Sequence, residues 1–329
     1  MHKLSVIIPL YNQADSIGKL LDSLTAQSIP LEIIVVNDMS ADTGAEEVLK
    51  RKSAVHSIRL INNETKLYAM HSRLHGLEFA AGDYCMFADG DDDVIGTQNL
   101  EKALREVSAK QFDIGHFRVR GSDKYGKELF QDAPNTAPFG KELYGLEIFE
   151  HYFDRDYIAA NLWGKLYKTD FLKKIAEKVK NLPIKRFDDK CLVSAAMLFA
   201  NSYLGSTIEI YHYTPNNFWP KEKYAARILD LYTITNAMLP FMEERKCAEN
   251  IKNKFLAYMK KRITVNTGQL SVLLAQEIQK NPSAVYGVLE ELEPFIDKET
   301  LIQALLLANV ENANKIIKNY EHIKELPHV

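Results

Sequence analysis

The stretch Ala80-Ala81-Gly82-Asp83-Tyr84-Cys85-Met86-Phe87-Ala88-Asp89-Gly90-Asp91-Asp92-Asp93-Val94 passes from apolar to acidic within a few residues. Tyr84 to Ala88 reads as a buried strand, and it stops in a cluster of aspartates with a glycine inside. A strand that ends in carboxylates puts them at the carboxyl edge of a sheet, where open α/β sheets bind ligands. With the strand's period of two carried forward, Asp89 and Asp91 share one side and Asp92 faces away. Two neighbouring carboxylates repel unless a cation sits between them, and hard oxygen ligands suit Mg²⁺ or Mn²⁺. Such a cation would neutralise a diphosphate. An isolated Asp-x-Asp is more often a solvated acidic turn, so its surroundings decide.

Upstream, Leu4 to Leu10 is apolar and rich in β-branched residues, the pattern of a strand buried on both faces. A polar turn, Tyr11 to Asp15, leads into Ser16 to Gln27, where Ile17, Leu20, Leu21 and Leu24 recur at helical spacing. Leu31 to Val36 is a second strand, and this βαβ unit implies a parallel sheet with a right-handed crossover. A turn at Asn37 to Asp42 precedes a helix from about Thr43 to Lys52. Ser57 to Asn62 is a third strand, and Ala69 to Ala80 is a helix closed by Gly82.

Downstream, Asn99 to Lys110 reads as a helix and Asp113 to Arg120 as a strand. Gly121 to Gly140 is a loop or short hairpin, and Leu143 to Phe153 is helical. The mixed aromatic segment Asn161 to Tyr167 precedes helices at Asp170 to Lys178 and Asp188 to Asn201. Ser206 to Tyr213 is the last strand. After Pro220, Leu231, Ile234, Met238, Phe241 and Met242 recur at helical spacing. Further helices are expected around Cys247 to Ile263, Ser271 to Gln279, Ser283 to Leu292, Lys298 to Leu307 and Asn314 to Ile323. The expected division is an α/β unit over 1–220 and a helical unit over 221–329. Lys260-Lys261-Arg262 is read first as a solvated helix face and second as a membrane-surface patch.

The chain has 329 residues, 46% hydrophobic and 26% charged, the composition of an ordinary globular protein. A net charge of −3 and a pI near 6.3 give no sign of a nucleic-acid binder. Cys85, Cys191 and Cys247 are far apart, which suits buried thiols in a reducing compartment and no zinc site. No signal peptide and no apolar run of membrane-spanning length is seen. A cytoplasmic protein is expected, with a peripheral contact at the inner face of the membrane left open.

No G-x-G-x-x-G or G-x-x-x-x-G-K-[ST] follows the first strand, which disfavours dinucleotide binding and the P-loop. Acids stand at successive strand ends instead: Asp38, then Asp89 and Asp91. One carboxylate suits hydrogen bonds from a donor base or sugar, and a pair suits a metal on phosphates.

Val6-Ile7-Ile8-Pro9-Leu10-Tyr11-Asn12, Glu32 to Ser40, and Gly82 to Asp92 together resemble the family 2 inverting glycosyltransferases, over about Leu4 to Tyr213. The resemblance implies the glycosyltransferase A fold: a Rossmann-like, mostly parallel sheet with helices on both faces, here with a C-terminal α-helical domain. It also implies a nucleotide-diphospho-sugar donor, usually a UDP-sugar, and Mn²⁺ or Mg²⁺. Pro9, Tyr11 and Asp38 match positions lining the uracil and ribose pocket. Arg73, in Ser72-Arg73-Leu74-His75-Gly76, matches an arginine facing the donor, although Ser72 and Leu74 replace the family's alanine and asparagine. Asp89 and Asp91 match the D-x-D motif, with Asp91 the more direct metal ligand and Asp89 nearer the ribose. Asp92 also matches a recurring position that orients the sugar or caps the turn.

Asp188-Asp189 opens a helix, where acids serve as simple caps. In the family a Glu-Asp pair stands here, after a block resembling Trp163-Gly164-Lys165-Leu166-Tyr167, and its second acid is the general base. Asp189 is that residue here, and Asp188 replaces the glutamate with a shorter arm. His212 is a candidate third metal ligand, although such a histidine is more often packed. Phe218 and Trp219 are candidates to stack on an acceptor sugar.

The resulting expectation is a metal-dependent inverting hexosyl- or N-acetylhexosaminyl-transferase acting on a carbohydrate or glycoconjugate acceptor in cell-surface polysaccharide synthesis. The helical unit would serve oligomerisation, acceptor docking or membrane docking. The rivals are a sugar-nucleotide nucleotidyltransferase and a non-catalytic carbohydrate-binding or scaffold protein. The first wants a Gly-rich basic loop that Pro9 to Asp15 lacks; the second has no need of Asp189.

Overall fold

The computed structural model describes residues 4–122, 127–131, 137–153, 160–214 and 223–277. Phe218, Trp219 and the helices expected beyond residue 277 lie outside the described residues. The chain divides into two compact units. One comprises Met1–Asn217 with Ala237–Lys254, the other Phe218–Asn236 with Phe255–Val329.

The first unit begins with the alternation expected of βαβ units. It runs β1 (Leu4–Leu10), α1 (Ile17–Thr25), β2 (Leu31–Asn37), α2 (Gly44–Lys50), β3 (Ser57–Asn62), α3 (Tyr68–Glu78) and β4 (Tyr84–Phe87). β5 (Asp93–Val94), α4 (Asn99–Ala109), β6 (Ile114–Ser122), β7 (Glu128–Gln131), β8 (Glu142–Tyr144) and α5 (Leu146–Phe153) follow. Then come β9 (Lys165–Lys168), α6 (Thr169–Val179), α7 (Asp188–Phe199) and β10 (Ser202–Tyr213). Two long helices, α8 (Lys223–Glu244) and α9 (Glu249–Glu277), close the described chain.

The strands form one sheet in the order β3-β2-β1-β4-β9-β6-β10-β5. β2 and β4 both pair with β1 in parallel, and β3 pairs with β2 in parallel. The chain builds outward from β1 through β2 to β3, then returns to place β4 on β1's other side. That reversal is a topological switch point, where open sheets leave a crevice at their carboxyl ends.

The sheet is more mixed than expected. β9 runs antiparallel between β4 and β6, out of the aromatic segment that showed no clear strand pattern. β5, β7 and β8 add short antiparallel edges. The apolar runs of β1, β2 and β4 are almost wholly buried, which is why they carry no polar alternation.

Helix α3 lies close on this sheet because of Gly76. A Cβ there would stand 2.7 Å from Ile7 Cγ2 and 2.9 Å from Val36 Cγ2. Both neighbours are branched side chains fixed on central strands, so the helix would have to lift. Gly76→Ala is expected to cost ~1–3 kcal/mol, read from the urea midpoint. An unchanged midpoint would contradict this account of α3 seating.

Residues 237–254 belong to the first unit, although the sequence division ends at 220. Phe241 packs edge-on to Phe199 at 5.8 Å, Arg245 Nε donates to the Leu198 carbonyl at 3.1 Å, and Lys178 pairs with Glu244 at 2.8 Å. In the second unit Ile228, Leu231, Ile234, Phe255, Met259 and Leu270 are buried. No helix among the described residues is long and apolar enough to cross a membrane.

Candidate active site

The parallel register brings three loops to one edge of the sheet. Leu10 is level with Asn37 and Ile7 with Phe87, so Tyr11, Asp38 and Asp89 all leave neighbouring strand ends. The first two loops are cross-braced. Asn12 N–H donates to Ser40 Oγ at 3.1 Å, and Ala41 N–H donates to Asn12 Oδ1 at 2.8 Å. Asn12 and Met39 adopt left-handed backbone, with φ of 52° and 59°. Asparagine tolerates that region; methionine does so only under tertiary constraint.

The acidic stretch does not continue the strand. Asp92 N–H donates to the Asp89 carbonyl at 3.0 Å, so Asp89 to Asp92 form a turn and the period of two ends at β4. Asp92 consequently points inward and is buried. Its Oδ2 accepts the Tyr211 hydroxyl at 2.8 Å and its Oδ1 accepts Thr214 N–H at 2.8 Å. The same Tyr211 oxygen accepts Asp89 N–H at 2.9 Å, and the Tyr211 ring stacks on Trp163 at 5.4 Å. Burial and the charges of Asp89 and Asp91 lift the Asp92 carboxyl far above its usual range. Asp92 therefore braces the turn from below, where the sequence reading placed it with the donor-binding residues. Gly90 lies against the Gln13 side chain, and a Cβ there would stand 2.4 Å from Gln13 Oε1, so the glutamine amide would have to swing aside.

Arg73, on α3, is the hub of the acids. It is buried, and its Nη1 pairs with Asp188 and its Nη2 with Asp89. Asp189 Oδ1 lies 3.8 Å from Nη1. Burial works against the guanidinium charge, but Asp188, Asp89 and Asp189 together raise its pKa. Asp188 and Asp189 open α7, yet their carboxylates turn to this cation as well as serving the helix end. Burial and the Asp188 charge push the Asp189 carboxyl well above the usual carboxylate range, with Arg73 and Lys165 opposing. The Asp189 side chain is still 37% exposed, so solvent moderates that shift and the group remains reachable. Lys165 is fully buried. Its ammonium donates to the Asn161 carbonyl at 2.6 Å, and burial pulls its pKa down to about 7.

Asp38 is buried at the end of β2. Its Oδ1 accepts Asn63 Nδ2 at 3.0 Å and Leu67 N–H at 2.7 Å. Its Oδ2 accepts Tyr68 N–H at 2.9 Å and pairs with Lys66 Nζ at 3.0 Å. Burial alone would raise its pKa, but these hydrogen bonds and the Lys66 charge hold it below the usual value.

The result is a cleft of 570 Å³ lined by Pro9, Tyr11, Asp38, Arg73, Asp89 and Asp91, together with Gln13, Lys66, Tyr68, Lys185 and Arg186. Its size is typical of ligand pockets. Asp188 and Asp189 reach it through Arg73. His212 does not line it; its Nδ1 is 2.9 Å from Asp93 Oδ2 and its Nε2 2.7 Å from Ser122 Oγ. The structure thus seats His212 among β-strand neighbours and not with Asp91. The sequence reading missed Lys66 and Gln13, which lie in loops with no periodic signal, and Tyr68, the first residue of α3. Tyr211 was also missed, and only its tertiary contacts reveal it.

Among the described residues no three His, Cys, Asp or Glu side chains form a metal cage. Mg²⁺-type sites on nucleotides need fewer, because one or two carboxylates are completed by phosphate oxygens and water. Asp91 fits that use. It lines the cleft, and burial and the neighbouring Asp89 charge raise its pKa, the signature of a carboxylate short of a counter-cation.

A mixed α/β sheet with acids at the switch-point edge is the architecture of the glycosyltransferase A fold, and the comparisons agree. The structure of S. aureus TarS residues 1–349 superposes with a TM-score of 0.59 at 23% identity, covering 97% of this chain and 91% of that one. TarS has also been solved with UDP and with UDP-GlcNAc. The mannosyltransferase PcManGT of Pyrobaculum calidifontis, solved with GDP-Man and Mn²⁺, gives a TM-score of 0.53 at 15% identity, over 94% of this chain and 86% of that one. Residues 5–162, just under half of the chain, match the family model Glycosyl transferase family 2. The amylovoran biosynthesis glycosyltransferase AmsB of Erwinia amylovora is 41% identical over 92 residues, 27% of this chain and 31% of AmsB. The chain spans between 21% and 60% of the length of the curated relatives it matches.

Proposed function

We propose that the protein is an inverting glycosyltransferase that moves a sugar from a nucleotide-diphospho-sugar, a UDP-sugar, to an acceptor hydroxyl in the synthesis of a polysaccharide or glycoconjugate. The observation that carries this is the gathering of Asp89, Asp188 and Asp189 around one buried arginine, beside a cleft that also presents Asp38 and Asp91. The UDP complex of TarS and the role in AmsB's name support the donor and the polymer class.

In this reading Pro9 and Tyr11 cover the nucleobase, Asp38 accepts from the base or ribose, and Arg73, Lys185 and Arg186 face the diphosphate. Asp91 and Asp89 would hold Mn²⁺ or Mg²⁺, which when bound would supply a Lewis acid for the departing diphosphate. Asp189 takes the proton of the acceptor hydroxyl as its oxygen attacks the anomeric carbon. The carbon–oxygen bond to UDP breaks on the opposite face, so configuration inverts. Asp188 keeps Arg73 in place beside the base.

Calorimetric titration with UDP, with and without Mn²⁺, tests the donor side. Asp91→Asn is expected to abolish the manganese-dependent part of the affinity, about tenfold or more, the scale of ~1.4 kcal/mol. A variant whose UDP affinity still rises with Mn²⁺ by the same factor as the wild type's would remove Asp91 from the metal role. Screening UDP-sugars for hydrolysis then identifies the sugar.

A further inference from the structure

Lys66 is held in an unusual place for a solvent-reaching side chain. Its Nζ is 3.1 Å from the Asp38 carbonyl and 3.0 Å from Asp38 Oδ2, and it sits over the Tyr11 ring. An ammonium has three donors: one goes to the carbonyl, one to the carboxylate, and the third faces the ring. The Asp38 carboxylate is equally full, because it has about four acceptor positions and four donors already use them. Of those donors, Leu67 and Tyr68 are backbone amides leading into α3. Asn63 is buried and also donates to Ser72 Oγ at 3.0 Å. Lys66 alone is on a flexible stem, with 31% of its side chain exposed. The Tyr11 face it covers belongs to a ring 51% exposed in the same cleft.

We propose that the Lys66 ammonium is a displaceable occupant of the nucleobase subsite, which a donor base must evict from both Asp38 and the Tyr11 face. The inference rests on the sugar-nucleotide reading above and adds a selectivity rule to it. A base with a ring N–H, such as uracil, replaces the hydrogen bond that Lys66 gives up on Asp38 Oδ2. A base with a ring acceptor there, such as cytosine, sets a lone pair against a carboxylate and leaves it unsatisfied. Lys66 therefore lowers the affinity for every base, and only N–H bases recover the loss.

Calorimetry of the full chain with uridine, UDP and cytidine tests this, because uridine reads the base subsite without the phosphates. Lys66→Met keeps the stem and removes the charge. It is expected to bind uridine and UDP more tightly by the same factor, about tenfold if the unliganded wild type holds Lys66 in place about nine-tenths of the time. Lys66→Arg, which retains a cation able to pair with Asp38 and cover Tyr11, is expected to stay within about twofold of wild type, and thermal melts check that both variants fold. Wild type is expected to bind cytidine more weakly than uridine. Weaker UDP binding with unchanged uridine binding in Lys66→Met would make Lys66 a phosphate contact and overturn the proposal, as would no change in either ligand. Cytidine binding as tightly as uridine would overturn the selectivity rule. Failure of wild type and variants alike to bind uridine or UDP would overturn the donor reading itself.

Discussion

Asp189→Asn is expected to lower the transfer rate by roughly 10²–10⁴-fold, the usual contribution of a positioned general base, while leaving UDP affinity within about twofold. The substitution keeps the shape of the side chain and its place at the start of α7, so the donor cleft is untouched. What is lost is the ability to accept the proton of the acceptor hydroxyl. The pH profile makes the assignment specific. Burial and the Asp188 charge raise the Asp189 pKa, and a general base works only when deprotonated. The rate therefore rises with pH, and the midpoint of that rise lies above the ordinary carboxylate range near ~4. In Asp189→Asn the residual rate should lose this ascending limb. A variant that keeps both full turnover and the limb would show that another group takes the proton.

β1 and β2 were legible because each carries a long apolar run, and β3 because Ile58 and Leu60 alternate with polar residues. β1, β2 and β3 carry six or seven residues each, enough for pattern to outweigh local noise. β9 and β5 have four and two residues. Such short elements exist because neighbouring strands offer partners, and that information is not local. Asp92 shows the same limit at the level of one side chain. Its direction follows from a turn closed by one backbone hydrogen bond and from a tyrosine more than a hundred residues away. The acids of the site were visible because charged residues at strand ends and helix starts stand out from their context. Lys66 was not visible, since a lysine in a polar turn looks like any solvated surface charge until Asp38 and Tyr11 are placed beside it. Arg73 was visible as a motif position, but its role as the common counter-ion of three carboxylates needed coordinates.

Arg73→Met should have the largest effect on stability. The guanidinium is buried and bridges Asp188 and Asp89, with Asp189 close by. Breaking a buried ion pair by removing one partner costs about 3–5 kcal/mol, because the partner charge is left uncompensated. Asp188 is the carboxylate most exposed to this loss, being itself buried. The sign of the pH dependence follows. Without Arg73 the folded protein holds these carboxyls above their unfolded pKa, so the folded state binds more protons than the unfolded state. Stability then falls as pH rises from about 4 through the raised folded pKa. The deficit of Arg73→Met against wild type should accordingly be larger at pH 8 than at pH 5, read from urea midpoints. Arg73→Lys should recover only part of it, since one ammonium cannot reproduce a planar fork spanning two carboxylates. Adding Asp188→Asn to Arg73→Met should restore part of the loss, because the buried charge is then gone, and the two substitutions should be strongly non-additive. A deficit independent of pH, together with additive double-mutant energies, would mean that Arg73 serves packing alone and that the acids do not share it as their counter-ion.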